Sequence, residues 1–120
     1  MKRRDIGLLG EQLAREFLSE KGYAVIGSNY RCPYGEIDII ARDGDFLVFV
    51  EVKTRISSNL GMPEESVNAT KQAKLRQSAL HYLQEHPDSP EDWRIDVIAI
   101  ELDRNHRPKR ISLIKDAVGE

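Results

Sequence analysis

Glu36, Asp38, Glu51 and Lys53 lie within one stretch, G-E-I-D-I-I-A-R-D-G-D-F-L-V-F-V-E-V-K-T-R, that spans residues 35–55. Three carboxylates and an amine of this kind could hold a divalent cation, because such cations prefer hard carboxylate oxygens. The stretch reads as a β-hairpin, since two runs rich in β-branched and aromatic residues flank Asp43-Gly44, a tight-turn dipeptide. With Asp43 and Gly44 as the turn pair, Arg42 faces Asp45, Ile40 faces Leu47, Asp38 faces Phe49 and Glu36 faces Glu51. Strand alternation then places all four charged residues on one face. Asp38 and Glu51 become diagonal neighbours, roughly 7–8 Å apart at the backbone.

Like charges across a strand pair destabilise it, and carboxylates among Leu and Phe lose solvation. A cation should offset this, either Lys53 or a metal ion. The plainer alternative is a rim of salt bridges at the open end of a hairpin. Three acids plus a lysine beside apolar strands favour the metal site. Register is the sensitive link, because a one-residue slip would turn a strand's whole set to the other face.

The elements around the hairpin must position it. Ile6, Leu9, Leu13, Ala14, Phe17 and Leu18 fall at helical spacing and predict an amphipathic helix from about Asp5 to Lys21, stopped at Gly22. Glu11 sits at the border of its apolar stripe. Tyr23 to Arg31 reads as a strand interrupted by Pro33. The hairpin's second strand is apolar on both faces for most of its length, as expected of a central strand. Ile56 to Glu65 reads as a loop. A second helix is expected from about Ser66 to Glu85 with the stripe Val67, Lys71, Leu75, Ala79 and Tyr82. Lys71 lies inside that stripe, either snorkelling to water or aimed along the sheet at phosphate, and Gln72 is one position off the same face. Trp93 to Leu102 is another strand, and Arg110 to Lys115 a short edge strand. Asp96 interrupts the first of these; hairpin or helix-cap bonding is its expected role. The order is that of an α/β sandwich around a mixed sheet.

Composition bounds the remainder. A chain of 120 residues suffices for one domain, taken as 1–120, with one core. Hydrophobic content of 40% with 32% charged residues suits a globular protein rather than a disordered one. No apolar run is long enough for a membrane span and no signal-type segment follows the basic start, so a cytoplasmic location with no membrane partner is expected. Cys32 is the single cysteine; it reads as a small strand-end residue. His81, His86 and His106 share no metal-ligand spacing. The net charge of −2 argues against a nucleic-acid coat protein but not against an enzyme that meets nucleic acid through a local patch.

Asp38 followed by Glu51-Val52-Lys53 on the next strand resembles the PD-(D/E)XK nuclease superfamily. The wider wording is G-E-I-D-I-I … F-V-E-V-K-T-R, with K-Q-A-K-L on the second helix and R-I-D-V-I-A-I on the last long strand. It is similar to the YraN-like family of bacterial proteins, distant relatives of archaeal Holliday-junction resolvases. Ile37 stands where the superfamily often has proline, as in resolvase relatives. The resemblance implies a three-layer α/β/α sandwich with a restriction-endonuclease-like core, in the order helix, strand, strand, strand, helix, strand. It implies a Mg²⁺- or Mn²⁺-dependent endonuclease acting on DNA, including branched or junction DNA, with symmetrical junction cleavage calling for a homodimer.

By the same resemblance Asp38, Glu51 and Lys53 are catalytic. Asp38, Glu51 and the Val52 carbonyl hold the metal, and Glu11 and Glu36 are further metal or tuning residues. Arg55, Lys71 and Gln72 meet the nucleic acid. Two alternatives stay open: a catalytically silent nucleic-acid- or protein-binding module on this scaffold, and a hydrolase of another phosphoester.

Overall fold

The computed structural model describes residues 2–57 and 67–118. The first helix, α1 (Arg3–Glu20), starts slightly before the expected point. It ends at Gly22, where Tyr23 N–H donates to the Leu18 carbonyl (2.9 Å) and Gly22 N–H to that of Ser19 (3.1 Å). Leu18 and Tyr23 are both buried beside this closure, the apolar contact that commonly accompanies this C-terminal motif. Then follow β1 (Ala24–Cys32), β2 (Gly35–Asp43), β3 (Phe46–Ile56), α2 (Ala69–Glu85), β4 (Trp93–Leu102) and β5 (Pro108–Ile114). The strands form one sheet in the order β1-β2-β3-β4-β5. Only β3 and β4 pair in parallel, and α2 makes the crossover between them, as parallel neighbours require.

The apolar side chains separate into two cores. Ala14 and Leu18 of α1 pack with Ile39, Ala41, Val48, Val50, Ile98 and Ile100. Leu75 and Ala79 of α2 pack with Ile37, Ile40, Leu47, Phe49 and Ile95. The central strands are therefore covered on both faces, which makes the three-layer α/β/α sandwich with a mixed sheet. Its element order is that of a restriction-endonuclease-like core.

Four expectations need correction. The hairpin turn is Gly44-Asp45, because Asp43 pairs with Phe46 and Arg42 with Leu47. Gly44 takes φ +58°, and a glycine in the first central position at positive φ matches the II′ turn preferred between twisted strands. The register thus slides by two residues, and Ile40 faces Phe49 instead of Leu47. Second, α2 starts at Ala69, because the Asn68 Oδ1 accepts the Lys71 N–H at 3.0 Å and caps the helix there. The expected start at Ser66 lies outside the described residues. Third, β3 runs on through Ile56, paired with Leu102 of β4, and most of the expected loop lies outside the described residues. The edge strand β5 begins at Pro108, two residues before the expected Arg110.

Gly10 sets how closely α1 approaches the sheet. A Cβ there would overlap the Thr54 hydroxyl of β3. Gly10→Ala should cost about 1–3 kcal/mol, the range for overpacking a close contact. Urea denaturation measures it, and an unchanged midpoint would mean that Thr54 yields freely.

Candidate active site

The site forms where the β2–β3 ladder stops. Its last antiparallel pair before the open end is Ile39–Val50. In that register the next pair would be Asp38 and Glu51. Instead the strands part, and the Asp38 Oδ2 accepts the Val52 N–H at 2.8 Å. The carboxylate replaces a missing ladder carbonyl, so that buried donor is satisfied. The N–H and C=O of one strand residue face the same neighbour, so the Val52 carbonyl also points toward the Asp38 side. Regular alternation breaks here too. Ile37 packs in the α2-side core and Ile39 in the α1-side core, although they are two residues apart. Asp38, between them, reaches into clefts on both sides.

Glu51 is 5% exposed. Burial, followed by the charge of Asp38 and a hydrogen bond between the two carboxyls, pushes its pKa up to about 8. Lys71 and Lys53 oppose that rise and do not overcome it; Lys71 Nζ stands 3.8 Å from Glu51 Oε1. Burial, and then the adjacent Lys71, lowers the Lys53 pKa, while the hydrogen bond that Lys71 donates to Lys53 holds the Lys71 pKa up. The centre is thus two carboxyls and two amines in mutual contact. Lys71, expected to meet phosphate, is already engaged with Glu51.

Two clefts meet at the carboxyl pair. One, of about 650 Å³, includes Arg3, Glu11, Asp38, Glu51, Lys53 and Arg55 in its lining. The other, about 260 Å³ on the α2 side, is bordered by Tyr34, Glu36, Asp38, Glu51, Lys71 and Lys74. Glu11 lies beside the pair, its pKa raised by burial and by the charges of Asp38 and Glu36. Neither Glu11 nor Glu36 is drawn in as a third ligand: among the described residues no three His, Cys, Asp or Glu side chains gather closely enough to hold an ion. Both acids are instead bonded to Asn29. Its amide nitrogen, in the orientation that satisfies both acids, donates to Glu11 Oε1 (2.7 Å) and Glu36 Oε1 (2.8 Å). Glu36 also approaches Arg31 at 3.8 Å.

Gln72 is not brought to the site. Its amide donates to the Val67 carbonyl at 3.1 Å, and it lines a separate cavity with Val97 and Ile114. One helical residue turns a side chain by about 100°, enough to remove it from the face of Lys71. Sequence reasoning missed Arg3, Asn29, Tyr34 and Lys74. Asn29 carried a signal: asparagine is depleted in strands yet tolerates left-handed backbone, and here it adopts φ +54°.

The donor set fits a hard divalent cation. Two carboxyls are pressed together, one driven to keep its proton, with a backbone carbonyl beside them. Mg²⁺ commonly takes only one or two protein carboxylates and completes its shell with water and substrate phosphate, so a pair of carboxyls is compatible with it. A pH dependence follows for the metal-free protein. Glu51 titrates at about 8 when folded against 4.5 ordinarily, so between those values the folded state binds the extra proton. Stability from this group is full below 4.5 and falls as pH rises towards 8. Melting in chelator from pH 5 to 8 should show that decline, and Glu51→Gln should flatten it. Equal slopes in parent and variant would contradict the shift.

Asp96, expected in hairpin or helix-cap bonding, instead accepts from the Arg94 and Tyr23 side chains and the Asp116 N–H in a buried network described below. His81 and His86 belong to an aromatic group. Tyr30 Oη lies 2.6 Å from His81 Nδ1, and the Tyr82 and His86 rings stack at 3.9 Å. Cys32 Sγ donates to Ser78 Oγ at 3.4 Å. Among the described residues no helix is long and apolar enough to cross a membrane.

Comparison with known proteins places the chain. The model of the uncharacterised protein family UPF0102 matches residues 10–100, which span the α1 border acid, the hairpin, α2 and most of β4. The chain is 44% identical over 117 residues to the UPF0102 protein of Moorella thermoacetica, covering 98% of each. It is 49% identical over 113 residues to that of Syntrophus aciditrophicus, covering 92% of this chain and 86% of the relative. The chain therefore belongs to the UPF0102 family, the YraN family whose wording its hairpin carries.

Proposed function

We propose that the chain is a metal-dependent endonuclease that hydrolyses phosphodiester bonds in DNA, branched and junction DNA included. The observation that carries this reading is the carboxyl pair Asp38–Glu51, held at the end of a core ladder and flanked by Lys53 and Lys71. Asp38, Glu51 and the Val52 carbonyl would hold Mg²⁺ or Mn²⁺. When bound, the ion lowers the pKa of water and neutralises charge on the phosphate. Glu51 would have to be ionised to hold the ion, its proton passing to solvent. Lys53 donates to the phosphoryl oxygens and stabilises the charge that grows on them in the transition state; its half-buried position strengthens that interaction. Lys71 keeps Glu51 in place. Arg3 and Arg55 meet flanking phosphates, which position the strand without reading sequence. Paired incisions across a four-way junction would take two copies of the chain.

The test is cleavage of labelled junction, flap, single-stranded and duplex DNA with Mg²⁺, with Mn²⁺ and with chelator, beside Asp38→Ala and Lys53→Ala. Metal-dependent cleavage by the parent and its loss in both variants are expected. Equal cleavage by parent and variants would sink the reading. Binding that ignores chelator and both substitutions, without cleavage, would favour a silent binding module.

A further inference from the structure

The two clefts that meet at the carboxyl pair differ in chemistry. The larger includes the cations Arg3, Lys53 and Arg55. The smaller has an aromatic wall, Tyr34, with Lys74 and Ser78 beside it. Tyr34 occupies the two-residue turn between β1 and β2 and is 46% exposed. Its ring lines a cleft that ends at Asp38 and Glu51.

The turn is held in place from both sides. Tyr34 meets the His81 ring edge-on at 6.2 Å. Tyr30 Oη is bonded to the same histidine at 2.6 Å. Cys32 donates to Ser78 of α2 at 3.4 Å. A fixed aromatic face loses little freedom when something stacks on it. At about 260 Å³ the cleft is below the size range of drug-sized ligand sites, roughly 300–1,000 Å³, and suits a single ring system. The exposed Lys74 supplies a cation at its rim. An aromatic platform next to a cation is the arrangement that binds single-stranded nucleic acid, because every base has a π-face and every linkage a phosphate.

Resting on the nuclease reading above, we infer that Tyr34 stacks on one unpaired nucleotide next to the scissile phosphate, with Lys74 on that nucleotide's phosphate. One strand would pass from the basic cleft, across Asp38 and Glu51, into the aromatic cleft. The substrate class is then DNA with at least one unpaired nucleotide at the cut, such as a flap, a single strand or an opened branch, rather than continuous duplex.

The experiment measures affinity for a short single-stranded deoxyoligonucleotide carrying 2-aminopurine, and for the duplex of the same sequence, with Ca²⁺ replacing Mg²⁺. Tyr34→Ala should weaken single-strand binding roughly five- to a hundredfold and abolish stacking quenching of the fluorophore. Tyr34→Trp should restore both, and duplex affinity should not change. Lys74→Ala should lower the salt dependence of single-strand binding by about one counterion. Thermal melting of Tyr34→Ala checks that it folds. Single-strand binding and quenching equal to the parent's would overturn the inference, as would parallel loss of single-strand and duplex binding. Cleavage by the parent that persists in Tyr34→Ala without change of substrate preference would overturn it too, and leave the nuclease reading standing. No binding or cleavage of any DNA by the parent would remove both.

Discussion

Asp38→Asn is expected to reduce metal-dependent cleavage by about a thousandfold, the upper scale for deleting one preorganised electrostatic group. The variant keeps an oxygen that can accept the Val52 N–H, now bonded at 2.8 Å, so the end of the ladder is retained and the loss reports charge. Asp38→Ala removes both and should also cost stability, since a buried donor left unsatisfied costs about 1–3 kcal/mol. The same pair of variants separates binding of the ion from catalysis. An ion that binds only the folded state stabilises it by about 2.7 kcal/mol at a hundred times its dissociation constant. Mg²⁺ should therefore raise the melting temperature of the parent and leave that of Asp38→Asn almost unmoved. Removing the Asp38 charge also removes one cause of the raised Glu51 pKa, so the stability decline between pH 5 and 8 should shrink. A variant that kept its Mg²⁺ shift while losing cleavage would assign Asp38 to chemistry alone.

The largest effect on stability is expected at Asp96, on β4. Its side chain is fully buried. Arg94 Nε donates to Oδ1 at 3.0 Å, and the Asp116 N–H donates to the same oxygen at 2.9 Å. The Tyr23 hydroxyl donates to Oδ2 at 3.3 Å. Arg94 also bonds Asp43 Oδ2 and Tyr23 Oη, each at 2.7 Å, so one guanidinium joins the end of α1, the end of β2 and β4. Burial alone would lower the Arg94 pKa, but the bonds to Asp43 and Asp96 outweigh it and raise it. Asp96→Ala leaves a mostly buried cation with one of its two carboxylate partners and should cost about 3–5 kcal/mol, the range for breaking a buried pair from one side. Asp96→Asn keeps two of the acceptor contacts and should cost less. Urea denaturation of both variants measures this; a loss below 1 kcal/mol for Asp96→Ala would mean that Asp43 alone holds the guanidinium.

Much of this protein follows from spacing. Helical periodicity between Ile6 and Leu18 with a stop at Gly22 locates α1, because burial on one side demands that period. Trp93–Leu102 emerges as β4 at the residues read from its apolar run. The carboxyl pair survives a wrong turn assignment. The register slid by two residues, an even shift that turns neither strand over, and Asp38 and Glu51 still meet just past the last ladder pair, Ile39–Val50.

Tertiary structure decided the rest. Lys71 reaches Glu51 only because α2 packs across the sheet at its β2–β3 end, a contact of residues twenty apart that no periodicity encodes. Gln72, its neighbour in sequence, is turned away by the helix itself. Asn29 bonds Glu11 of α1 and Glu36 of β2 at once, from a left-handed backbone position on β1. The raised pKa of Glu51 needs its burial and the approach of Asp38 from the neighbouring strand. Local sequence specifies which face a residue takes, because the backbone's own period sets it. Which other faces it meets, and how dry the place becomes, depend on how the layers close over one another.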